Sequence, residues 1–257
     1  MSKLAEPAAL ASDELAVPFV SEGVNSKSLH FSHDQTQSSM SNSHPDELAL
    51  DYTKTMMGFL LLNRHPRHIG MIGLGGGSLA KFCMYNLPQT RMTVAEINPH
   101  VIALRDEFLV PQDSERFKVI QGCGADFMAD AEEESFDVLL VDGFDQNGLP
   151  TQLGSQAFYE NCRAALTDHG VIVLNMHALD PSYELLLDRI ARSFDGNLAE
   201  VRVKQDGNTI VFAGKNMPIT AHGLRGIMPS DEVPGGGLKA LKNVFQQVAW
   251  QWQNPKN

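Results

Sequence analysis

Four glycines fall within five positions, at Gly73, Gly75, Gly76 and Gly77, directly after the apolar run HIGMI. A backbone this bare lets another group come within contact distance. Glu96 ends the next apolar run, about 20 residues on, where an acidic side chain meets ribose hydroxyls in nucleoside-binding folds. Asp142 ends a third run, FDVLLV, and Asp145 stands three residues later, ahead of Gly148-Leu149-Pro150. Two carboxylates at a strand tip can hold a cation and take a proton from it. The plainer alternatives are glycines that only allow tight strand-to-helix packing, and an Asp-x-x-Asp pair that caps a loop. The order strand, glycines, helix, strand, acid favours nucleoside binding. The dinucleotide spacing Gly-x-Gly-x-x-Gly is broken by Ser78 at its sixth position. Gly73-x-Gly75-x-Gly77 suits a nucleoside without a pyrophosphate, which makes hydride transfer the weaker reading.

These residues need a scaffold, and the chain predicts one. After a polar N-terminal stretch with a strand at KSLHF, DELALDYTKTMMGFLLLN places Leu48, Tyr52, Met56, Phe59 and Leu60 on one helical stripe, with Asp46 as its cap. The chain then alternates. HIGMIGL, RMTVAEI, RFKVIQG, FDVLLVD and GVIVLNM read as buried strands. SLAKFCMYNL, NPHVIALRDEFL, SQAFYENCRAAL and PSYELLLDRIARSF read as helices, the second with Asn98 as cap and Pro99 at its first position. LAEVRV and NTIVFAGK close the series as a strand pair. Such alternation implies an α/β fold: a doubly wound, mostly parallel, seven-stranded sheet with helices on both faces. Ligands of such sheets sit at the carboxyl ends of the strands, where the winding reverses. The boundaries are an N-terminal arm with a short β segment over residues 1–46, its first 24 residues frayed; a Rossmann-like domain over 47–216; and a packed C-terminal tail over 217–257. In that tail PGGG is read as loop, ahead of a short amphipathic helix ending at Trp250 and Trp252.

Composition narrows the classes. A formal net charge of -11 argues against nucleic acid or an anionic membrane as partner and suits a cationic small molecule. The three cysteines, Cys83, Cys123 and Cys162, lack paired spacing and read as reduced thiols of a cytoplasmic protein. No run of about 18 apolar residues indicates a membrane span, and no metal is expected.

DELALDYTKTMM, IGLGGGSLAKF, AEIN, FDVLLVDGFD and GVIVLNM, in that order, resemble the spermidine synthase-like family of polyamine aminopropyltransferases. That family belongs to the class I S-adenosylmethionine-dependent methyltransferase superfamily, and the resemblance spans about residues 27–215. It implies a transferase that uses S-adenosylmethionine, or its decarboxylated form, to alkylate an amine acceptor such as a polyamine, with a homodimer as the expected assembly. It implies that Glu96 holds the ribose, that the Gly73–Gly77 turn passes under the nucleoside and that Gln37 lines the donor pocket. Asp142 would orient or take the amine's proton, with Asp145 beside it, and Tyr52 would close the site. Where the family has an acid within the glycine cluster this chain has Gly76, and where it has an adenine-reading aspartate this chain has Cys123. Gly76 leaves methyl transfer from intact S-adenosylmethionine as one alternative. A nucleoside-binding protein without turnover is the other.

Overall fold

The computed structural model describes residues 15–32, 35–143, 148–203, 207–216, 219 and 236–254. A three-stranded antiparallel sheet, β1 (Phe19–Glu22), β2 (Ser26–Ser32) and β3 (Gln35–Ser41), precedes α1 (Asp51–Met56) and a 3₁₀ turn, Met57–Leu61. The main sheet contains β4 (His68–Ile72), β5 (Arg91–Glu96), β6 (Phe117–Gln121), β7 (Phe136–Val141), β8 (Leu166–His177), β9 (Leu198–Arg202) and β10 (Asn208–Gly214). Around it lie α2 (Ser78–Asn86), α3 (Pro99–Ala103), α4 (Gly124–Ala129), α5 (Gln156–Ala165), α6 (Tyr183–Ser193), α7 (Gly236–Ala240) and α8 (Lys242–Gln253).

The strand order is β6-β5-β4-β7-β8-β10-β9. Five strands run parallel, and β10 pairs antiparallel with both β8 and β9. The sheet is thus the seven-stranded, mostly parallel one expected. Its winding reverses between β4 and β7, the position where doubly wound sheets bind ligands. Strand residues alternate between two cores. Met71, Val94, Val138, Leu140, Val173 and Phe212 face one side, with α1, α2 and α8. Ile72, Leu139, Val141, Ile172, Leu174 and Val211 face the other, with α5 and α6. Coverage of both faces explains why these strands are apolar without alternation.

Four expectations are corrected. Residues 19–22 are not a frayed arm: β1 pairs with β2, and Phe19 stacks on His30 with ring centroids 5.2 Å apart. A strand with one edge paired and most side chains exposed leaves little hydrophobic pattern to read. The helix expected from Asp46 starts at Asp51, with Leu50 rather than Asp46 at the cap. Glu47 N donates to His44 O in a turn, and the Thr53 hydroxyl donates to Leu50 O at 2.7 Å. α4, between β6 and β7, was not expected at all. Within PGGG, Gly236 and Gly237 belong to α7 instead of a loop, and a Cβ at Gly237 would lie 2.8 Å from Asn86 Oδ1. α8 does form; Trp252 is buried edge-on to Phe212 at 4.9 Å, while Trp250 is exposed.

Candidate active site

The carboxyl ends of β6, β5, β4 and β7 lie side by side at one edge of the sheet. Gly73 N donates to Ala95 O and Asp142 N to Ile72 O, so the ladders on both sides of β4 continue into the glycine turn. Three of the glycines answer to the protein's own packing. Gly73 has φ +88°, and a Cβ there would lie 2.3 Å from Asp142 O. Gly77, also left-handed at φ +68°, would strike Val110 at 2.4 Å. Gly76 would meet Ser38 Oγ at 2.6 Å and Phe108 at 2.9 Å. Only Gly75, at φ +52°, points to space, its nearest neighbour being Ser38 Cβ at 3.9 Å. The strand β3 therefore lies against this turn. Ser38 is buried there and shares a hydrogen bond with Ser78 Oγ at 3.2 Å. Gln37 is half-buried and sits at a register shift, since Leu29 pairs with Ser38 and His30 with Thr36. Ser38 makes the contact with the glycine turn; bulges of this kind re-aim the side chains beside them.

Glu96, 7% exposed at the end of β5, accepts from Leu74 N at 2.7 Å through Oε2 and from Asn98 N at 2.8 Å through Oε1. Burial pushes its carboxyl above the usual range, and backbone N–H groups pull it back. Glu96 thus ties the glycine turn to the start of α3, where the Asn98 side chain accepts from His100 N as expected of a cap. Beyond it, Gly122 N donates to Glu96 O, and a Cβ at Gly122 would meet nothing within 4 Å. Cys123 follows, half-exposed at the N-terminal cap of α4.

Asp142 forms the other wall. Its residue surface is partly open, but its carboxyl group is enclosed. Tyr52, half-buried on α1, donates its hydroxyl to Oδ2 at 3.2 Å, and Asn175 donates Nδ2 to Oδ1 at 2.8 Å. Burial raises the carboxyl's pKa, while these two bonds and the nearby His177 lower it. Asn208 in turn donates Nδ2 to Asn175 Oδ1 at 2.7 Å. The structure so brings together Tyr52, the glycine turn, Glu96, Cys123 and Asp142. Asp145 lies outside the described residues. Sequence reasoning missed Ser38, Asn175 and Asn208. The one available signal was the polar Asn175 interrupting GVIVLNM near its carboxyl end.

A family model, the spermine/spermidine synthase domain, matches residues 50–195. A polyamine aminopropyltransferase of Neisseria meningitidis serogroup A is 40% identical over 201 residues, 77% of this chain and 76% of its own length. The chain belongs to the spermine/spermidine synthase family. A second relative, the polyamine aminopropyltransferase of Chromobacterium violaceum, is 38% identical over 238 residues, covering 90% of this chain and 91% of that one. Among solved structures, a probable spermidine synthase from Corynebacterium glutamicum superposes with a TM-score of 0.71 at 18% identity, over 86% of each chain. That likeness speaks for the fold. In this family frame, the match begins at Leu50 beside α1 and carries Tyr52, the glycine turn, Glu96 and Asp142 within one block. No described helix is long and apolar enough to cross a membrane, and no described group of three His, Cys, Asp or Glu could hold a metal ion.

Proposed function

We propose that this spermine/spermidine synthase family member transfers the aminopropyl group of decarboxylated S-adenosylmethionine to a small amine, a polyamine precursor or polyamine. The observation that carries the reading is the enclosed Asp142 carboxylate, held by Tyr52 and Asn175 at the tip of the strand beside the glycine turn.

The donor's sulfonium makes its attached carbons electrophilic, so the protein's task is to place the nucleophile in line and manage its proton. An alkylamine has a pKa near 10.4 and no free lone pair while protonated. Asp142 holds the incoming ammonium and accepts its proton. The amine nitrogen then attacks the propyl carbon on sulfur, the carbon–sulfur bond breaks, and its electron pair leaves on methylthioadenosine. Burial raises the carboxyl's proton affinity toward that of a useful base, and the hydrogen bonds from Asn175 and Tyr52 favour its ionised form. Glu96 receives the ribose hydroxyls. The adenine occupies the open space at Gly122 and Cys123, read there by backbone groups, because a thiol is a weak partner for the adenine amino group. The acidic chain favours a cationic acceptor.

The reading is tested by incubating the protein with each sulfonium donor and a diamine, then identifying the by-product by chromatography and mass spectrometry. Methylthioadenosine with an aminopropylated amine is the expected result. S-adenosylhomocysteine with a methylated amine would replace the proposal by methyl transfer. Tight donor binding without product from any diamine or polyamine would leave a binding protein.

A further inference from the structure

The two side chains behind Asp142 form a chain with a defined polarity. An ionised carboxylate offers only acceptors, so Asn175 must present its N–H₂ end to Asp142 Oδ1, where it stands at 2.8 Å. Its carbonyl end must then face away, and Asn208 meets it with a donor at 2.7 Å. Asn175 and Asn208 are only 5% and 6% exposed, so water does not substitute freely for either bond. Asn208 reaches Asn175 diagonally across the β8–β10 pair, since Asn208 lies opposite His177 and Ile210 opposite Asn175. The backbone of Asn208 has its own task, accepting from Val203 N at 2.9 Å. The side chain is free of that duty.

The donor at its carbonyl end favours this orientation of the amide over the half-turned one. Without Asn208 only the charge of Asp142 holds it, and the half-turned amide, whose oxygen accepts from a protonated Asp142, competes more strongly. We propose that Asn208 is a positioning residue that acts through Asn175, fixing the amide so that Asp142 stays oriented and ionised to receive the acceptor's proton. The proposal rests on the role given above to Asp142. The other described groups that bear on that carboxylate are the Tyr52 hydroxyl from α1 and His177 on β8, whose charge also bears on Asp180.

The test uses three substitutions of the full chain at Asn208. Asn208→Ser keeps a donor, Asn208→Ala removes it, and Asn208→Asp replaces it with an acceptor of the same size that draws the Asn175 N–H₂ end toward itself. Two quantities are read: the acid-limb midpoint of kcat at saturating donor, and the midpoint of the Asp142 carboxyl carbon resonance in NMR, which needs no turnover. The expected order of midpoints is parent, serine, alanine, aspartate. The aspartate variant should lie about one pH unit or more above the parent, the scale of losing a hydrogen bond to the charged form. Donor affinity should stay within about twofold. A purely structural role would lower melting temperature and leave the midpoints together, and that result, or equal shifts in the alanine and aspartate variants, overturns the proposal. If the parent never turns over while the NMR midpoints follow the predicted order, the positioning role stands and the transfer reading falls. If turnover is normal and both midpoints stay put, the reverse holds.

Discussion

The contact of Ser38 with the glycine turn gives a quantitative test of how the N-terminal sheet builds the site. Gly76 does not have a positive φ, so an added methyl group there costs only steric conflict. In Gly76→Ala the new Cβ would stand 2.6 Å from Ser38 Oγ, 2.9 Å from Phe108 Cδ1 and 3.0 Å from Ser38 Cβ. Overpacking of this kind costs about 1–3 kcal/mol. At about 2–4 °C per kcal/mol for a chain of this size, a loss near 2 kcal/mol lowers the melting temperature by about 4–8 °C. Ser38→Gly removes two of the three conflicting atoms, so the double variant should recover at least about 1 kcal/mol in a double-mutant cycle. Gly75→Ala is the control. Its nearest neighbour is 3.9 Å away, but φ is +52°, so its cost of about 1–2 kcal/mol lies in the backbone and Ser38→Gly should not relieve it. Equilibrium urea unfolding and calorimetric melts of the six proteins, the parent, the three single variants and the two double variants, decide the matter. If Gly76→Ala melts within a degree of the parent, or if Ser38→Gly rescues both glycine variants equally, β3 does not press on this turn.

Three further outcomes follow from the same geometry. Tyr52→Phe deletes the 3.2 Å bond to Asp142, so kcat should fall roughly tenfold and its acid limb should move up, with donor affinity unchanged in calorimetry. Lys81, buried and donating to Phe108 O, has its pKa lowered to about 8 by desolvation. The unfolded chain therefore binds more protons between about pH 8 and the usual lysine value of 10.5, and this group adds stability as pH rises through that window. The melting temperature of Lys81→Met relative to the parent should accordingly be more favourable at pH 7 than at pH 10; a difference that does not change with pH contradicts the account. Burial pushes the Cys83 thiol up to about 12 and raises Cys162 as well, whereas Cys123 is half-exposed. Maleimide should modify Cys123 first and methylthioadenosine should slow it, and a rate indifferent to methylthioadenosine would remove Cys123 from the donor pocket.

The main sheet was legible because its strands are buried on both faces and each ends in a residue that differs from the run before it: Gly73, Glu96, Asp142. Asn98 and Ser155 cap their helices through local hydrogen bonds, which a linear reading can see. What escaped depends on partners distant in the chain. β1 has no strong pattern because its stability comes from pairing with β2 and from the Phe19–His30 stack. α1 begins late because the chain first makes a turn, with Glu47 N donating to His44 O, and is extended at Leu50. Gly73, Gly76 and Gly77 are demanded by packing against Asp142, Ser38 and Val110, neighbours that a linear reading of the glycine cluster does not show. Asn175 and Asn208 lie 33 residues apart, and nothing local in either indicates that β8 and β10 bring them together behind Asp142.

The central claim is that Asp142 accepts the amine's proton. Its most direct test is Asp142→Asn under single-turnover conditions with decarboxylated S-adenosylmethionine and a diamine. Asparagine keeps the size, its carbonyl can accept from Asn175 and its N–H₂ can donate to the Tyr52 hydroxyl oxygen, while the charge and the basicity are removed. The account predicts an unchanged fold, donor affinity within about twofold, and methylthioadenosine formation slowed by roughly 10²-fold or more, the scale of a positioned general base. Near-parental rates in Asp142→Asn would contradict it and leave Asp142 as a structural strand end.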